Sequence, residues 1–434
     1  MHKLSTFQLA LLISFIVAAL GGVALFALGI GPTPRNAIGP VVIWGTVDEK
    51  AVALTLESLR TEDERFSEVT YVQKDPRTYS AEFIDALAAG RSPDLFLLPE
   101  ENLYDHRDKI LFIPFTTFSE RQFKDAFAEA GEVFLAPAGS AGLPVTIDPL
   151  VMYWNRDIFS DASLAVPPRY WDEFFTNIVP KVTQRDQSAN IVRSFVAMGE
   201  YRNVSHAKDI LSALILQTGN PLVFKNETGQ VRSVLSNSFD QAEPPADAAL
   251  RFYTQFSNPT KAVYSWNRSL PDSRQSFLSG DLAIYFGFAS EYESLRKANP
   301  NLNFDVASMP FSRDTTRRTT IGHVLAFSVP RGSFNPAGAM ETALALTSSL
   351  HIWELAVALK VPPARRDLLS ASSEDPVQEV FYQSAITARA WLDPNDAATE
   401  GVFQRMIEGY VSGRLRLSEA VGNASDELSQ LLAQ

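Results

Sequence analysis

Short apolar runs alternate with amphipathic segments after the apolar N-terminus of the chain, and this alternation constrains the fold more than any other feature. Strands are predicted at residues 41–45, 69–73 and 94–98, where dense apolar residues are followed by glycine, charged residues or proline. Helices are predicted between them at residues 48–60 and 79–88. A chain that runs strand, helix, strand, helix, strand forms a parallel sheet with helices on both faces. The sequence therefore predicts an α/β fold.

The carboxyl ends of these strands are the expected place for ligand contacts, because open α/β sheets bind ligands there. Trp44 can supply a flat apolar face, and Thr46 follows it at the end of the first strand. Asp75 and Glu100 come at the ends of the second and third strands, where their carboxylates can accept hydrogen bonds. A core tryptophan and solvated surface acids are the alternative interpretations of these residues.

The rest of the chain continues to mix helices and strands. Residues 142–155 predict two short extended stretches with a turn at Asp148-Pro149, and residues 225–247 predict a polar surface loop. Apolar helices are predicted at residues 207–217 and 336–350.

Composition and charge exclude several classes of protein. The 434 residues contain 46% hydrophobic and 20% charged side chains, which is ordinary usage for a globular protein. Fifty acidic and 38 basic residues give a formal net charge of −12, without a basic run, so nucleic acid is not an expected partner. The absence of cysteine excludes disulfides, thiolate metal sites and lipid attachment through cysteine.

The N-terminal segment predicts a membrane span. Residues 9–30 form an apolar run of 22 residues, and no charged residue lies between Lys3 and Arg35. At about 1.5 Å per residue a helix of this length reaches roughly 33 Å, enough to cross a bilayer. We interpret residues 1–30 as an uncleaved signal-anchor, residues 31–40 as a linker, and the protein as a single-pass protein of the cell membrane. A cleaved signal peptide is the alternative.

The sequence lacks the common motifs of cofactor and metal chemistry. It contains neither a phosphate-binding GxxxxGK[ST] loop nor GxGxxG, and its five histidines are scattered, without an HExxH pair. We therefore predict no catalytic residues, no metal and no cofactor. A pair of carboxylates of the glycosidase type stays open, because acids are plentiful.

Six stretches of the chain carry motifs in an order that is similar to that of a known family. They are Ile43–Gly45, Leu143–Phe159, Pro167–Phe174, Phe277–Ile284, Pro363–Leu368, and Ser412-Gly413 with Ser418–Ala420. The third reads PPRYWDEF and the fifth PARRDL. Together they resemble the family 1 extracellular solute-binding proteins, the class that includes maltose-binding protein, over nearly all of residues 41–434.

This resemblance implies a class II periplasmic-binding-protein fold, in which two α/β lobes are joined by a hinge and close over a ligand. It places residues 41–146 and 308–350 in the first lobe and residues 147–307 and 351–434 in the second. It also implies a binding protein rather than an enzyme, one that captures a small polar solute outside the cytoplasm. The expected partner is the permease of an ABC-type importer.

Further candidate binding residues follow from the match to this family. They are Asp148, Tyr153, Glu200, Tyr285, Phe288, His323 and Arg365. Asp148 and Tyr153 lie near the expected crossing between lobes, and Glu200 lies in a loop of the second lobe. The alternatives are an Asp-Pro turn at Asp148, a surface loop at Glu200, a structural histidine at His323 and an arginine bonded to backbone carbonyls at Arg365.

One departure from the family pattern bears on the ligand. Sugar binders of this class often carry a tryptophan after the strand that begins at residue 282, but this chain reads YFGFAS there. A carbohydrate remains the favoured ligand, and a polyol or a peptide is an alternative. An extracytoplasmic carbohydrate-active enzyme, or a sensor that retains the binding fold, are the alternative functions.

Overall fold

The computed structural model describes residues 38–175, 178–226, 229–313 and 318–433. The predicted membrane span over residues 1–30 lies outside them. Among the described residues, no single helix combines the length and apolar character needed to cross a bilayer. The consecutive helices Pro336–Leu346 and Ser349–Leu359, which meet at an angle of 74°, have that length and apolar character when taken together.

Fifteen strands are present in the described part of the chain. Their bounds are β1 Val41–Gly45, β2 Val69–Gln73, β3 Leu95–Pro99, β4 Ile110–Leu111, β5 Leu135–Ala136, β6 Gly139–Ser140, β7 Leu143–Asn155, β8 Gln184–Arg185, β9 Ile191–Val196, β10 Val223–Lys225, β11 Val231–Ser233, β12 Leu282–Phe288, β13 Phe304–Ala307, β14 Thr320–Pro330 and β15 Ala388–Arg389.

Sixteen α-helices accompany these strands in the described residues. Their bounds are α1 Glu49–Glu62, α2 Tyr79–Ala88, α3 Leu103–His106, α4 Glu120–Ala126, α5 Arg156–Asp161, α6 Ile178–Val182, α7 Ala207–Gln217, α8 Pro245–Thr254, α9 Ser273–Leu278, α10 Tyr292–Ala298, α11 Pro336–Leu346, α12 Ser349–Leu359, α13 Arg366–Leu369, α14 Pro376–Thr387, α15 Asp396–Val411 and α16 Leu417–Leu432. Short 3₁₀ turns include Glu100–Asn102 and Ala289–Glu291.

The N-terminal sheet confirms the predicted alternation. β1 lies between β2 and β3 and pairs with both in parallel. α1 buries Val52, Leu56 and Leu59 against this sheet, since these residues recur on one face of a helix. The main path of the sheet then runs β2-β1-β3-β14-β7-β12-β9-β8, and β14 is antiparallel to both β3 and β7.

Strand β7 corrects the predicted turn at Asp148-Pro149, because residues 143–155 form one continuous strand. Its first half pairs with β14 and its second half pairs with β12 and β13. Pro149, which has no N–H to donate, lies where the β14 pairing ends, next to Leu150, where the β12 pairing begins. The strand can therefore contain a proline without losing a ladder hydrogen bond at its centre.

Two hydrophobic cores lie along this sheet, and β7 and β14 contribute to both. Ile147 and Val324 pack in the first core, whereas Leu150 and Ile321 pack in the second. We call the parts of the chain packed around them the first and the second lobe. Leu355 packs in the first core and Met309 in the second, so the cores divide the chain differently from the predicted boundaries in these two regions.

Two further local predictions are corrected. The predicted loop at 225–247 contains the end of a hairpin formed by β10 and β11, and it ends in the first turn of α8. The predicted helix 336–350 divides into α11 and α12, because the Ser348 hydroxyl accepts a hydrogen bond from the His351 N–H and caps a second helix.

Candidate functional site

The carboxyl end of β3 carries two adjacent acids, Glu100 and Glu101, in a single 3₁₀ turn. Glu100 is 6% exposed, and its Oε1 lies 2.7 Å from Nδ1 of His323. Its Oε2 accepts the Val324 N–H at 2.6 Å. Both carboxylate oxygens of Glu100 are thus used to join the end of β3 to β14.

His323 lies on β14, where that strand passes from one core to the other, and it faces carboxylates on both sides. Its Nδ1 is 3.4 Å from Glu101 Oε2, and its Nε2 is 4.0 Å from Asp209 Oδ1. Burial lowers the pKa of His323, but the charge of Glu100 and the other facing carboxylates outweighs burial and raises it well above its usual value. The charged form of His323 is therefore favoured between acids of the two lobes.

Asp209 and His206 belong to the start of α7 in the second lobe. Asp209 is 5% exposed, and His206 Nδ1 lies 3.9 Å from its Oδ2. His206 Nε2 is 2.8 Å from Glu291 Oε1. Burial opposes charge on His206, but the hydrogen bond to Glu291 prevails and raises its pKa. The backbone of His206 is left-handed, with φ of 60°, which costs about 1–2 kcal/mol for a residue with a side chain.

Glu291 organises the end of β12. It accepts hydrogen bonds from the Tyr285 hydroxyl at 2.8 Å, from Arg274 Nε at 3.3 Å and from the Phe288 N–H at 3.0 Å. The Phe288 ring is thereby held with its centroid 4.4 Å from the His323 ring and 4.9 Å from the His206 ring. An aromatic ring therefore lies among the charged groups.

Asp148 completes the group from β7, opposite His323 in the strand register. Its Oδ1 accepts the Ser290 N–H at 3.0 Å, and burial raises its pKa. We call the whole set the interlobe cluster. Its members are Glu100, Glu101, Asp148, His206, Asp209, Phe288, Glu291 and His323.

Four of the predicted residues come together here. Glu100, Asp148, Phe288 and His323 belong to the interlobe cluster, and Tyr285 supports it through its hydroxyl while its ring is buried. Glu291, Glu101, His206 and Asp209 were not selected from the sequence. The sequence does carry a local signal for two of them: Glu101 follows the end of a predicted strand, and Asp209 lies in the first turn of a predicted helix.

The other predicted residues lie in different surroundings. Trp44 is half-buried under Lys74, whose Nζ is 3.7 Å from the ring centroid, and Thr46 is half-buried beside it. The exposed Asp75 bonds to Arg77 at 2.6 Å.

Tyr153, Glu200 and Arg365 also make contacts of a structural kind. Tyr153 is fully buried, and its hydroxyl donates to the Phe288 carbonyl at 2.7 Å. Glu200 is buried and pairs with Arg268 at 3.1 Å. Arg365 bonds to Asp367 and to the Thr347 carbonyl, which agrees with the alternative interpretation of that arginine.

A cavity of about 500 Å³ opens elsewhere between the lobes. It lies between the segment that contains α3 and the second-lobe segments that contain β11 and the end of α16. Its walls are mostly apolar, and they carry the cations Arg107, Lys225 and Arg232. None of the predicted binding residues lines it.

Two α/β cores that share two long strands, with charged groups of both cores meeting between them, define a two-lobed binding protein. Solved structures share this fold. The cyclic α-maltosyl-1,6-maltose binding protein of Arthrobacter globiformis matches with a TM-score of 0.74 and 14% identity, covering 91% of this chain and 99% of that one. The sugar-binding protein of Xanthomonas citri gives 0.71 and 15%, covering 91% and 98%. A cyclo/maltodextrin-binding protein complexed with maltotetraose gives 0.72 and 16%, covering 92% and 98%.

The chain belongs to the bacterial extracellular solute-binding protein family, whose profile matches residues 61–379. The resemblance inferred from the sequence is thereby confirmed. A putative binding protein of Brucella abortus is 31% identical over 91 residues, which are 20% of this chain and 21% of that protein. The chain thus aligns with about a fifth of the length of the curated relatives that it matches.

Proposed function

We propose that this protein captures a small polar solute, with a carbohydrate favoured, between its two lobes and delivers it to the permease of an ABC-type importer. The observation that carries this proposal is the interlobe cluster, in which Glu101 of the first lobe and Asp209 of the second face the same histidine. A solute that contacts both lobes stabilises the closed arrangement through contacts that the open one cannot make.

The chemistry of the cluster suits a solute with polar edges. The carboxylates accept hydrogen bonds from hydroxyl or amine groups, and the Phe288 ring, which is 5% exposed, packs behind the two histidine rings. The similar structures include proteins bound to maltotetraose and to maltotriose. We infer binding without catalysis, since the family consists of binding proteins.

The proposal includes a location. In this proposal the signal-anchor at residues 1–30, with its apolar run at 9–30, anchors the chain in the cell membrane, and the linker 31–40 holds the lobes outside the cytoplasm, close to the permease. The full-length protein should sediment with membranes, and a chain that lacks residues 1–30 should not. Sedimentation of both forms with membranes would contradict the anchor.

Thermal unfolding of the full-length chain against a panel of sugars, polyols and short peptides tests the binding function. A ligand at a hundredfold excess over its Kd stabilises the folded state by about 2.7 kcal/mol. We expect at least one carbohydrate to raise Tm. A panel without effect in every solute class would refute the proposal.

A matched pair of variants tests whether the ligand lies in the cluster. Phe288→Ala removes a 5% exposed ring that packs against His206 and His323, and it should abolish most of the rise in Tm. Phe66→Ala removes a similarly buried phenylalanine of the first core, 3% exposed, and it should leave the rise intact. Circular dichroism establishes that both variants are folded. An unchanged rise in folded Phe288→Ala would place the ligand elsewhere.

A further inference from the structure

Acids outnumber bases in and around the interlobe cluster. The acids are Glu100, Glu101, Asp148, Asp209 and Glu291, and the bases are His206, Arg274 and His323. The nearby Lys208 is 3% exposed and bonds to Asp393 and Asp396, so its charge is already balanced. Arg274 likewise donates hydrogen bonds to Glu291 Oε2 at 3.3 Å and to the Ser294 hydroxyl at 2.9 Å.

Two of the acids have weak partners compared with the others. Asp148, Glu100 and Glu291 accept hydrogen bonds of 3.0 Å or shorter. Among the described residues, the carboxylate of the buried Asp209 accepts no hydrogen bond; it makes ion pairs of 3.9 and 4.0 Å with the two histidines and is also attracted by the charge of Lys208. Glu101 makes one ion pair of 3.4 Å with His323. Their carboxylates keep acceptor capacity, and they come from different lobes.

The histidines favour an organic cation over a metal ion at this place. Both ring nitrogens of His323 face carboxylates, Nδ1 at hydrogen-bond distance from Glu100 (2.7 Å) and Nε2 at ion-pair distance from Asp209 (4.0 Å), which suits the charged imidazolium. A metal ion would need one of those nitrogens deprotonated. An ammonium group instead needs only acceptors, and it brings three donors.

A neutral hydroxyl suits this place less well than an ammonium group. A hydroxyl donates one hydrogen bond and also needs donors for its own lone pairs, whereas the cations here are engaged with protein acids. An ammonium supplies donors and positive charge together, and hydrogen bonds between charged groups are the stronger ones.

We propose that the solute is an amine-bearing carbohydrate, whose protonated amine is recognised by Asp209 of the second lobe together with Glu101 of the first. This inference rests on the proposed function and adds the chemical class of the solute. The titration of Glu101 agrees with it. Burial and the neighbouring charge of Glu100 raise the pKa of Glu101 to about 7, as in a site short of positive charge.

Paired solutes that differ only in the amine provide the test. Isothermal titration of the full-length protein at pH 7, where a carboxyl with a pKa of about 7 is partly ionised, compares glucosamine with glucose and with N-acetylglucosamine, and the β-1,4-linked dimer of glucosamine with cellobiose. We expect the amine to bind about tenfold more tightly than its neutral counterpart, as for one charge-assisted hydrogen bond in place of a neutral one. Zinc, calcium and magnesium chlorides are titrated alone.

Variants assign the preference to the two acids. Asp209→Asn should lower the affinity for the amine more than the affinity for its neutral counterpart, and Glu101→Gln should do the same to a smaller extent. Asp125→Asn changes an exposed acid of α4, paired with Arg121, and should keep the preference. Glu101 is partly exposed, so its variant tests the proposal even where Asp209→Asn does not fold.

The outcomes separate this inference from the function on which it rests. Equal affinity for amine and neutral members of each pair overturns the inference and leaves solute binding intact. Tight binding of a metal ion alone, lost in His323→Gln, also overturns it. Absence of binding by every solute of the wider panel refutes the proposed function itself.

Discussion

Replacement of Lys208 by methionine tests how the second lobe holds a buried charge. Lys208 Nζ donates to Asp393 Oδ2 at 3.0 Å, to Asp396 and to Thr399 Oγ1 at 3.4 Å, which joins α7 to the start of α15. The Asp393 side chain is only 6% exposed. Burial raises the pKa of Asp393 even with Lys208 beside it. Without the lysine, a buried carboxylate keeps only its hydrogen bonds to Thr399 and to backbone.

The expected cost follows from that burial. Removal of one partner from a buried ion pair leaves an uncompensated charge and costs about 3–5 kcal/mol. A second substitution, Asp393→Asn, removes this charge and should recover most of the loss. Lys124→Met is the control, because Lys124 is exposed and pairs with Glu120 at i,i+4 spacing, a contact of about 0.5 kcal/mol or less.

Urea unfolding at pH 7, followed by circular dichroism, measures these free energies. The cost of Lys208→Met should shrink at pH 4, because protonation of Asp393 then removes the unpaired charge from the variant and weakens the pair in the wild type. A cost below about 1 kcal/mol at pH 7, or a double variant as unstable as the single one, would refute the reasoning.

Three further predictions concern other parts of the chain. The pKa of His323 is raised in the folded protein, so the charged histidine stabilises the fold fully below its unfolded pKa of about 6.5, and this stabilisation is lost as the pH rises through the folded pKa. The free-energy cost of His323→Gln in urea unfolding should therefore fall between pH 5 and 9. A cost that grows with pH would contradict this sign. Gln217→Leu should lower the free energy of unfolding by about 2–5 kcal/mol in thermal unfolding, because the buried amide accepts a hydrogen bond from Trp171 Nε1 and donates to two backbone carbonyls. An unchanged stability would mean that water replaces the amide as the hydrogen-bond partner of these three groups. Gly139→Ala should destabilise far more than Gly90→Ala, because both have positive φ but only the Cβ at 139 would lie 2.2 Å from a backbone oxygen; equal melting temperatures would contradict the steric account.

Much of the first lobe could be predicted from its sequence, because local pattern and final packing agree there. The bounds predicted for the strand at 41–45 and the helix at 79–88 match those observed. The apolar face of a helix and the dense apolar run of a buried strand are short-range signals. They need no knowledge of distant residues.

The long strand β7 could not be recognised in the same way. Asp148-Pro149 is a turn signal by local chemistry, but the neighbours of that dipeptide are set by β14 and β12, which follow more than 130 residues later. Tertiary pairing overrides a local preference where the proline falls between two partners. Similarly, the Ser348 hydroxyl caps the start of α12, and the single helix predicted over residues 336–350 is two helices, α11 and α12.

The interlobe cluster shows the same division between local and distant information. Strand-end reasoning found Glu100, because the carboxyl end of a parallel strand can be read from the local pattern. It did not select Asp209, whose role depends on α7 of the second lobe meeting His323. Selection by residue type also favoured Tyr153 and Tyr285, whose rings are buried and whose hydroxyls hold the end of β12.

These buried tyrosines support the cluster with hydrogen bonds. Tyr153 bonds to the Phe288 carbonyl, and Tyr285 bonds to Glu291, which in turn fixes His206 and the Phe288 N–H. If the solute binds there as proposed, these hydrogen bonds hold the second-lobe side of the cluster in place without it, and less entropy would be lost on binding. Asp209 and Glu101 are the members with the weakest partners. If the solute binds there as proposed, substitution of these two acids would change specificity while the hydrogen bonds of the supporting network stay the same.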